Sequence, residues 1–167
     1  RPAPRNPWRW RGGGSARLGA LYDKTGDFDK MVGEMKEVLR LNPKHADALN
    51  YLGYSYSERS IHLEEALRLI QKAMELKPNM GYITDSLGWV YYKLGDYEKA
   101  VTELEKANLL TPDDSTITEH LAEGYLKLSR IEKAIEYYER ALKLDPKPDQ
   151  KERLKNKIKE LKEKQSK

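Results

Sequence analysis

An all-α solenoid of stacked helix pairs is the fold class the sequence predicts, on three observations. The first is a period of 34: Leu87, Gly88, Tyr91, Ala100, Ala107 and Pro112 are answered one period later by Leu121, Ala122, Tyr125, Ala134, Ala141 and Pro146. Leu52, Gly53, Tyr56, Ala66, Ala73 and Pro78 precede them in the same order, with one extra residue between Tyr56 and Ala66. A period of this size holding two helical patterns marks a stacked helical array. The second is the fixed placing of small residues. Gly53 or Gly88 on a first helix and Ala66 or Ala100 on a second let paired axes approach closely, while leucines and tyrosines fill the grooves around them. The third is punctuation: Leu-Asn-Pro, Leu-Lys-Pro, Leu-Thr-Pro and Leu-Asp-Pro close successive units at Pro43, Pro78, Pro112 and Pro146. Proline cannot sustain the helical ladder, and loops this short make neighbouring helices antiparallel.

At these residues the sequence resembles the tetratricopeptide repeat family. The resemblance implies four units within residues 12–148, each an antiparallel helix pair, wound into a right-handed superhelix whose concave surface is lined mainly by first helices. It implies no catalytic reaction. The text of the second and third units looks like repeat domains common in bacterial proteins.

Taken in order, residues 1–11 (RPAPRNPWRWR) stand apart in composition. Pro2, Pro4 and Pro7 oppose a regular helix; Arg1, Arg5, Arg9 and Arg11 carry positive charge with no acid; Trp8 and Trp10 offer large aromatic surface. Gly12-Gly13-Gly14-Ser15 reads as a flexible spacer occupying the register where a first helix should begin. The pair reads as an engineered fusion, an Arg/Pro/Trp peptide tethered to a cut repeat domain that starts at residue 16. A native disordered arm, an expression remnant, and a basic arm contacting nucleic acid or membrane are the alternatives. No apolar core follows the arginines, so a secretory leader is not expected.

The first unit, 16–43, is the least regular: Leu18, Gly19, Tyr22 and Pro43 fit, whereas Met31 and Val38 stand where later units have alanine. Terminal repeats lack a neighbour on one face and diverge accordingly. The second unit, 46–78, carries its extra residue near Ser57–His62, and a loop insertion leaves stacked helices undisturbed. His45, His62 and His120 make no metal-binding spacing, so His62 reads as an isolated surface histidine. Units three and four are regular, and Gly124 inside a first helix costs about 0.5–1 kcal/mol relative to alanine unless close packing uses its size. After Pro148, DQKERLKNKIKELKEKQSK (149–167) reads as an amphipathic capping helix with Leu154, Ile158 and Leu161 on one side.

Composition excludes several classes. The chain has no cysteine, which removes disulfides and thiol chemistry, and it lacks a phosphate-binding glycine loop and an HExxH motif. No cofactor, no metal and no enzymatic activity are expected, and no nucleic-acid or membrane partner is indicated. The basic total misleads: residues 1–11 carry +4 and residues 149–167 another +4 net, which leaves 12–148 at −4 within a total of +4. A nucleic-acid ligand needs a contiguous basic surface, and the repeat body is mildly acidic. With 35% charged residues the chain reads as soluble, with bacterial cytoplasm or periplasm both open.

Carrying the repeat register onto the concave face gives the candidate site. The second unit presents Asp47, Asn50, Tyr54 and Ser57; the third Tyr82, Asp85, Ser86, Trp89, Tyr92 and Lys93; the fourth Glu119, His120, Glu123, Leu126 and Lys127. Carboxylates at 47, 85, 119 and 123 alternate with aromatic surface at 54, 82, 89 and 92. That mixture suits arginine, through ion pairs and cation–π contacts, and proline or tryptophan packing on rings. The expected peptide-binding set is therefore Asp47, Asn50, Tyr54, Tyr82, Asp85, Trp89, Tyr92, Glu119 and Glu123. The ligand is an extended basic Pro/Trp-containing segment, and Arg1, Pro4, Arg5, Pro7, Trp8, Arg9 and Trp10 form a candidate tethered one, held by their own chain or a neighbour. A structural spacer with a disordered basic arm is the competing reading. Some members of the resembled family hold the carboxyl end of a chaperone peptide with several lysines and asparagines, a basic arrangement these inward positions lack.

Overall fold

A computed structural model describes residues 28–166. The Arg/Pro/Trp segment, the spacer 12–15 and the first helix of the first unit, with Leu18, Gly19 and Tyr22, lie outside the described residues. The described part is eight helices in sequence and no strand: α1 Phe28–Leu41, α2 Ala46–Glu58, α3 Leu63–Leu76, α4 Gly81–Leu94, α5 Tyr97–Leu110, α6 Ser115–Lys127, α7 Ile131–Lys143 and α8 Pro148–Gln165. The pairs α2–α3, α4–α5 and α6–α7 are the second, third and fourth units. α1 is the second helix of the first, and α8 follows as a single helix. This is an α-solenoid of helix pairs, as the period predicts.

Several helices start or stop for a local reason. Asp114 accepts hydrogen bonds from the amides of Thr116 and Ile117 at the head of α6, and Asp96 accepts from Lys99 at the head of α5. His45 does the same for α2 through Nδ1 and the Ala48 amide. α4 ends on Gly95 at φ 84°, a left-handed conformation suited to glycine. The insertion in the second unit is absorbed between α2 and α3, where Ser60 and His62 take positive φ and the Ile61 amide returns to the Tyr56 carbonyl. His62 is exposed, as the sequence suggests.

The small residues do what their spacing implies. A Cβ on Gly88 would stand 2.6 Å from Leu104 Cγ and 3.1 Å from the Ala100 carbonyl oxygen. One on Gly53 would stand 2.7 Å from Ile70 Cγ1 and 2.9 Å from the Ala66 oxygen. Two clusters form the core: one from α1–α4 around Met31, Met35, Leu52, Ile70 and Ile83, the other from α5–α8 around Leu104, Leu121, Tyr138 and Leu154. Half-buried Tyr91 packs against both. Leu154, Ile158 and Leu161 bury the inner side of α8. Among the described residues, the helix backbones approach closely only between first and second neighbours in the chain.

Candidate functional site

The first helices α2, α4 and α6 lie side by side, and α8 continues their row. Because each unit repeats after about one period, side chains at equivalent places on successive helices meet, and here they meet as complementary pairs. Tyr82 donates its hydroxyl to Asp47, which Lys77 Nζ also reaches at 2.7 Å. Burial works to raise the Asp47 carboxyl, and these two hydrogen bonds outweigh it, leaving it below its ordinary value.

One unit further on, His120 Nδ1 lies 2.9 and 3.1 Å from the two oxygens of Asp85. Both residues are buried, at 7% and 6% exposure. Burial works against a charged ring, but the Asp85 carboxylate prevails and holds the His120 imidazole above its ordinary pKa. The ring stacks on Trp89 at 4.0 Å between centroids, and Trp89 stacks in turn on Tyr92 at 4.6 Å. The indole N–H donates to Glu58 at the end of α2.

Glu119 is met by the last helix. Arg153 grips it with two hydrogen bonds, Nε to Oε1 at 2.9 Å and Nη2 to Oε2 at 3.0 Å, and Gln150 Nε2 donates to Oε2 at 2.8 Å. Glu123 is held more loosely, with the Tyr92 hydroxyl at 3.5 Å and Lys157 Nζ at 3.7 Å. Arg153 itself stays largely in solvent, its side chain 60% exposed against 10% for Glu119.

These side chains surround a cavity of about 380 Å³ whose walls include Tyr54, Glu58, Trp89, His120, Glu123 and Arg153. Carboxylates outnumber cations on its lining, since Glu58, Glu119, Glu123 and Asp149 face Lys147 and Arg153. Across Tyr54 lies a second, smaller cavity of about 70 Å³ bounded by Asn50, Tyr82, Asp85 and Ser86. Asn50 is 2% exposed, and its Oδ1 has no hydrogen-bond partner among the described residues. Among the described residues no group of three or more histidine and acidic side chains is placed to hold a metal ion. No described helix is long and apolar enough to cross a membrane.

The expected peptide-binding residues thus fall along one row, but their accessibility departs from expectation. Asp47, Tyr54, Tyr82, Tyr92 and Glu123 are half-buried on the rim, while Asn50, Asp85, Trp89 and Glu119 are buried floor. Ser57 and Ser86, read as exposed, turn inward and donate to the carbonyls of Gly53 and Tyr82 one turn back. Trp89 is buried and stacks on both Tyr92 and His120. It forms part of the cavity wall. Glu58, Gln150 and Arg153 were missed by the sequence reading. For Arg153 the signal was in the period, since it stands 34 residues after Glu119, whereas Glu58 and Gln150 each pair at a spacing of 31 that the repeat does not announce.

Similarity to known proteins follows the same architecture. Residues 16–45 match the model of the tetratricopeptide repeat family, and residues 94–166 match that of regulator of microtubule dynamics proteins 1–3. A TPR repeat-containing protein of Pseudomonas aeruginosa, PA4667, is 39% identical over 75 residues, 45% of this chain and 13% of that protein. Tetratricopeptide repeat protein 37 of Xenopus laevis is 31% identical over 94 residues, 56% of this chain and 6% of that one. The chain therefore corresponds to a small part of these curated relatives. Among solved structures, MamA superposes with a TM-score of 0.63 at 22% identity, covering 89% of this chain and 96% of its own. The first TPR domain of Spaghetti (RPAP3), bound to the HSP90 peptide SRMEEVD, gives 0.64 at 20% identity, covering 73% and 94%. Repeat spacing, helix order and these likenesses agree that the chain has the fold of a tetratricopeptide-repeat solenoid, with one of its units, at 16–45, matching that family directly.

Proposed function

We propose that this protein is a non-enzymatic peptide-binding scaffold whose row of first helices captures an extended basic segment containing proline and tryptophan. The observation that carries the reading is the 380 Å³ cavity with its surplus of carboxylates beside aromatic walls. Several cations near this row are held by it: Arg153 on Glu119, Lys93 Nζ 5.2 Å from the Trp89 ring, Lys127 Nζ 5.9 Å from the Tyr92 ring. A ligand of the same chemistry meets the partners that these groups already favour. The solved RPAP3 domain carries an acidic peptide on the same fold; the lining described above suits the opposite charge. Residues 1–11, with their four arginines and two tryptophans, supply a candidate ligand on the same chain, and tethering through a short linker would raise its effective concentration to about millimolar.

The test uses the full chain carrying Arg5→Ala, Trp8→Ala, Arg9→Ala and Trp10→Ala, so that its own arm does not compete, and a labelled synthetic peptide of residues 1–11. Binding should weaken as salt rises and fall about tenfold with Glu123→Gln plus Tyr54→Ala, the loss of one charge-assisted contact and one ring contact. Capture of a charge-matched peptide lacking tryptophan and proline with equal affinity, or no salt dependence, would overturn the reading. Non-binding at every salt concentration would favour a structural spacer.

A further inference from the structure

We propose that His120 is the residue that grips the backbone of the bound segment: its Nε2–H donates to a carbonyl oxygen of the ligand inside the larger cavity. The proposal rests on the peptide-binding reading and adds the group that fixes the ligand's depth in the groove.

The argument begins with what a proline-rich segment offers. Proline has no N–H, so carbonyl oxygens are the backbone groups left to recognise, and they need donors. The floor of this site is built of acceptors. Its buried donors are already committed: the Trp89 indole N–H to Glu58, the Gln150 amide to Glu119, and His120 Nδ1 to Asp85. His120 Nε2 has no partner among the described residues, and the ring lines the cavity. Asp85 holds Nδ1 from below, and the Trp89 face fixes the ring plane, so Nε2 is pre-aimed with no rotamer left to freeze.

Protonation decides whether this works. With Nδ1–H given to Asp85, a neutral ring has a bare Nε2 that repels a carbonyl lone pair, and only the imidazolium donates from both nitrogens. The groups facing the ring favour that form from most sides. Tyr54 and Glu58 face it from α2, Asp85 and Trp89 from α4, and Glu119 from its own helix. Gln150 and Arg153 of α8 share its cavity, but Arg153 is directed onto Glu119. The ring therefore titrates above its ordinary value. The sign follows: the donor is fully present below the ordinary histidine pKa of about 6.5 and is lost as pH rises through the raised one.

The experiment titrates the N-acetylated peptide of residues 1–11, which has no group of its own changing charge between pH 6 and 9, into the full chain carrying Arg5→Ala, Trp8→Ala, Arg9→Ala and Trp10→Ala. The dissociation constant should be flat at the acid end and then rise by up to about tenfold per pH unit, the limit for one proton. His120→Gln, which keeps a donor and loses the titration, should bind with a pH-independent constant. Imidazole resonances provide a readout independent of the variant's folding: saturating peptide should raise the His120 pKa. Binding that is flat with pH, a slope that survives in folded His120→Gln, or a His120 pKa unmoved by peptide overturns the proposal while leaving peptide capture intact. Absence of binding at every pH overturns both.

Discussion

Glycine 88 and glycine 33 show how differently one residue type acts within this chain. Alanine is the better helix former by about 1 kcal/mol. At Gly33, exposed on α1, an added Cβ meets nothing among the described residues within 4 Å, so Gly33→Ala should raise stability by about 0.5–1 kcal/mol in urea denaturation. At Gly88 the same methyl lands against Leu104 and the Ala100 carbonyl, and overpacking of about 1–3 kcal/mol outweighs the propensity gain. Gly88→Ala should therefore lower the urea midpoint. Gly124 belongs with Gly88, because a Cβ there would come within 2.8 Å of Val101 Cγ2. Its small size is used, which resolves the cost that the sequence alone left conditional. At the rim, Tyr82→Phe removes one of the two donors holding Asp47 and should cost about 1 kcal/mol near neutrality. Since Asp47 titrates below its ordinary value, that contribution is present above the unfolded carboxylate pKa and disappears as pH falls through the folded one. The difference between wild type and Tyr82→Phe should accordingly shrink below about pH 4.

At the scale of the helix, α8 does two jobs from two faces. Leu154, fully buried, joins Ile158 and Leu161 in the second core cluster, and Leu154→Ala should cost about 2–5 kcal/mol by chemical denaturation. The neighbouring face sends Gln150 and Arg153 to Glu119. Helix positions were legible in the sequence because leucine, glycine, alanine and proline each have a local physical reason to recur. The composition of the site was legible too, as acids among aromatics. Its accessibility was not. Asp85 and Glu119 look like solvent-facing acids when each helix is read alone; they become buried once His120 and Arg153, one period away on another helix, satisfy them. His120 read as one more groove-facing polar residue for the same reason, since its partner lies 35 residues earlier.

At the scale of the molecule, backbone packing between first and second neighbours among the described residues makes stability largely a sum of local terms. Among the described residues, the Tyr54–His120 ring contact is a side-chain link that reaches further, from α2 to α6. Amide exchange should therefore be slowest in α4, α5 and α6, which are covered on both sides, and progressively faster toward α1 and α8. Uniform protection across all eight helices would contradict this gradient. Asp85 facing His120 and Glu119 facing Arg153 add a condition that the period by itself does not impose. Each first helix carries an address that its successor must answer. A second copy of the third unit spliced after the fourth would keep every leucine, glycine and proline in register, yet it would set the copy of Asp85 opposite Glu119, two acids where an acid and an arginine now meet. Cassettes of this solenoid are alike in shape and not interchangeable in order. Gene duplication could lengthen it only where a complementary residue arrived with the new unit.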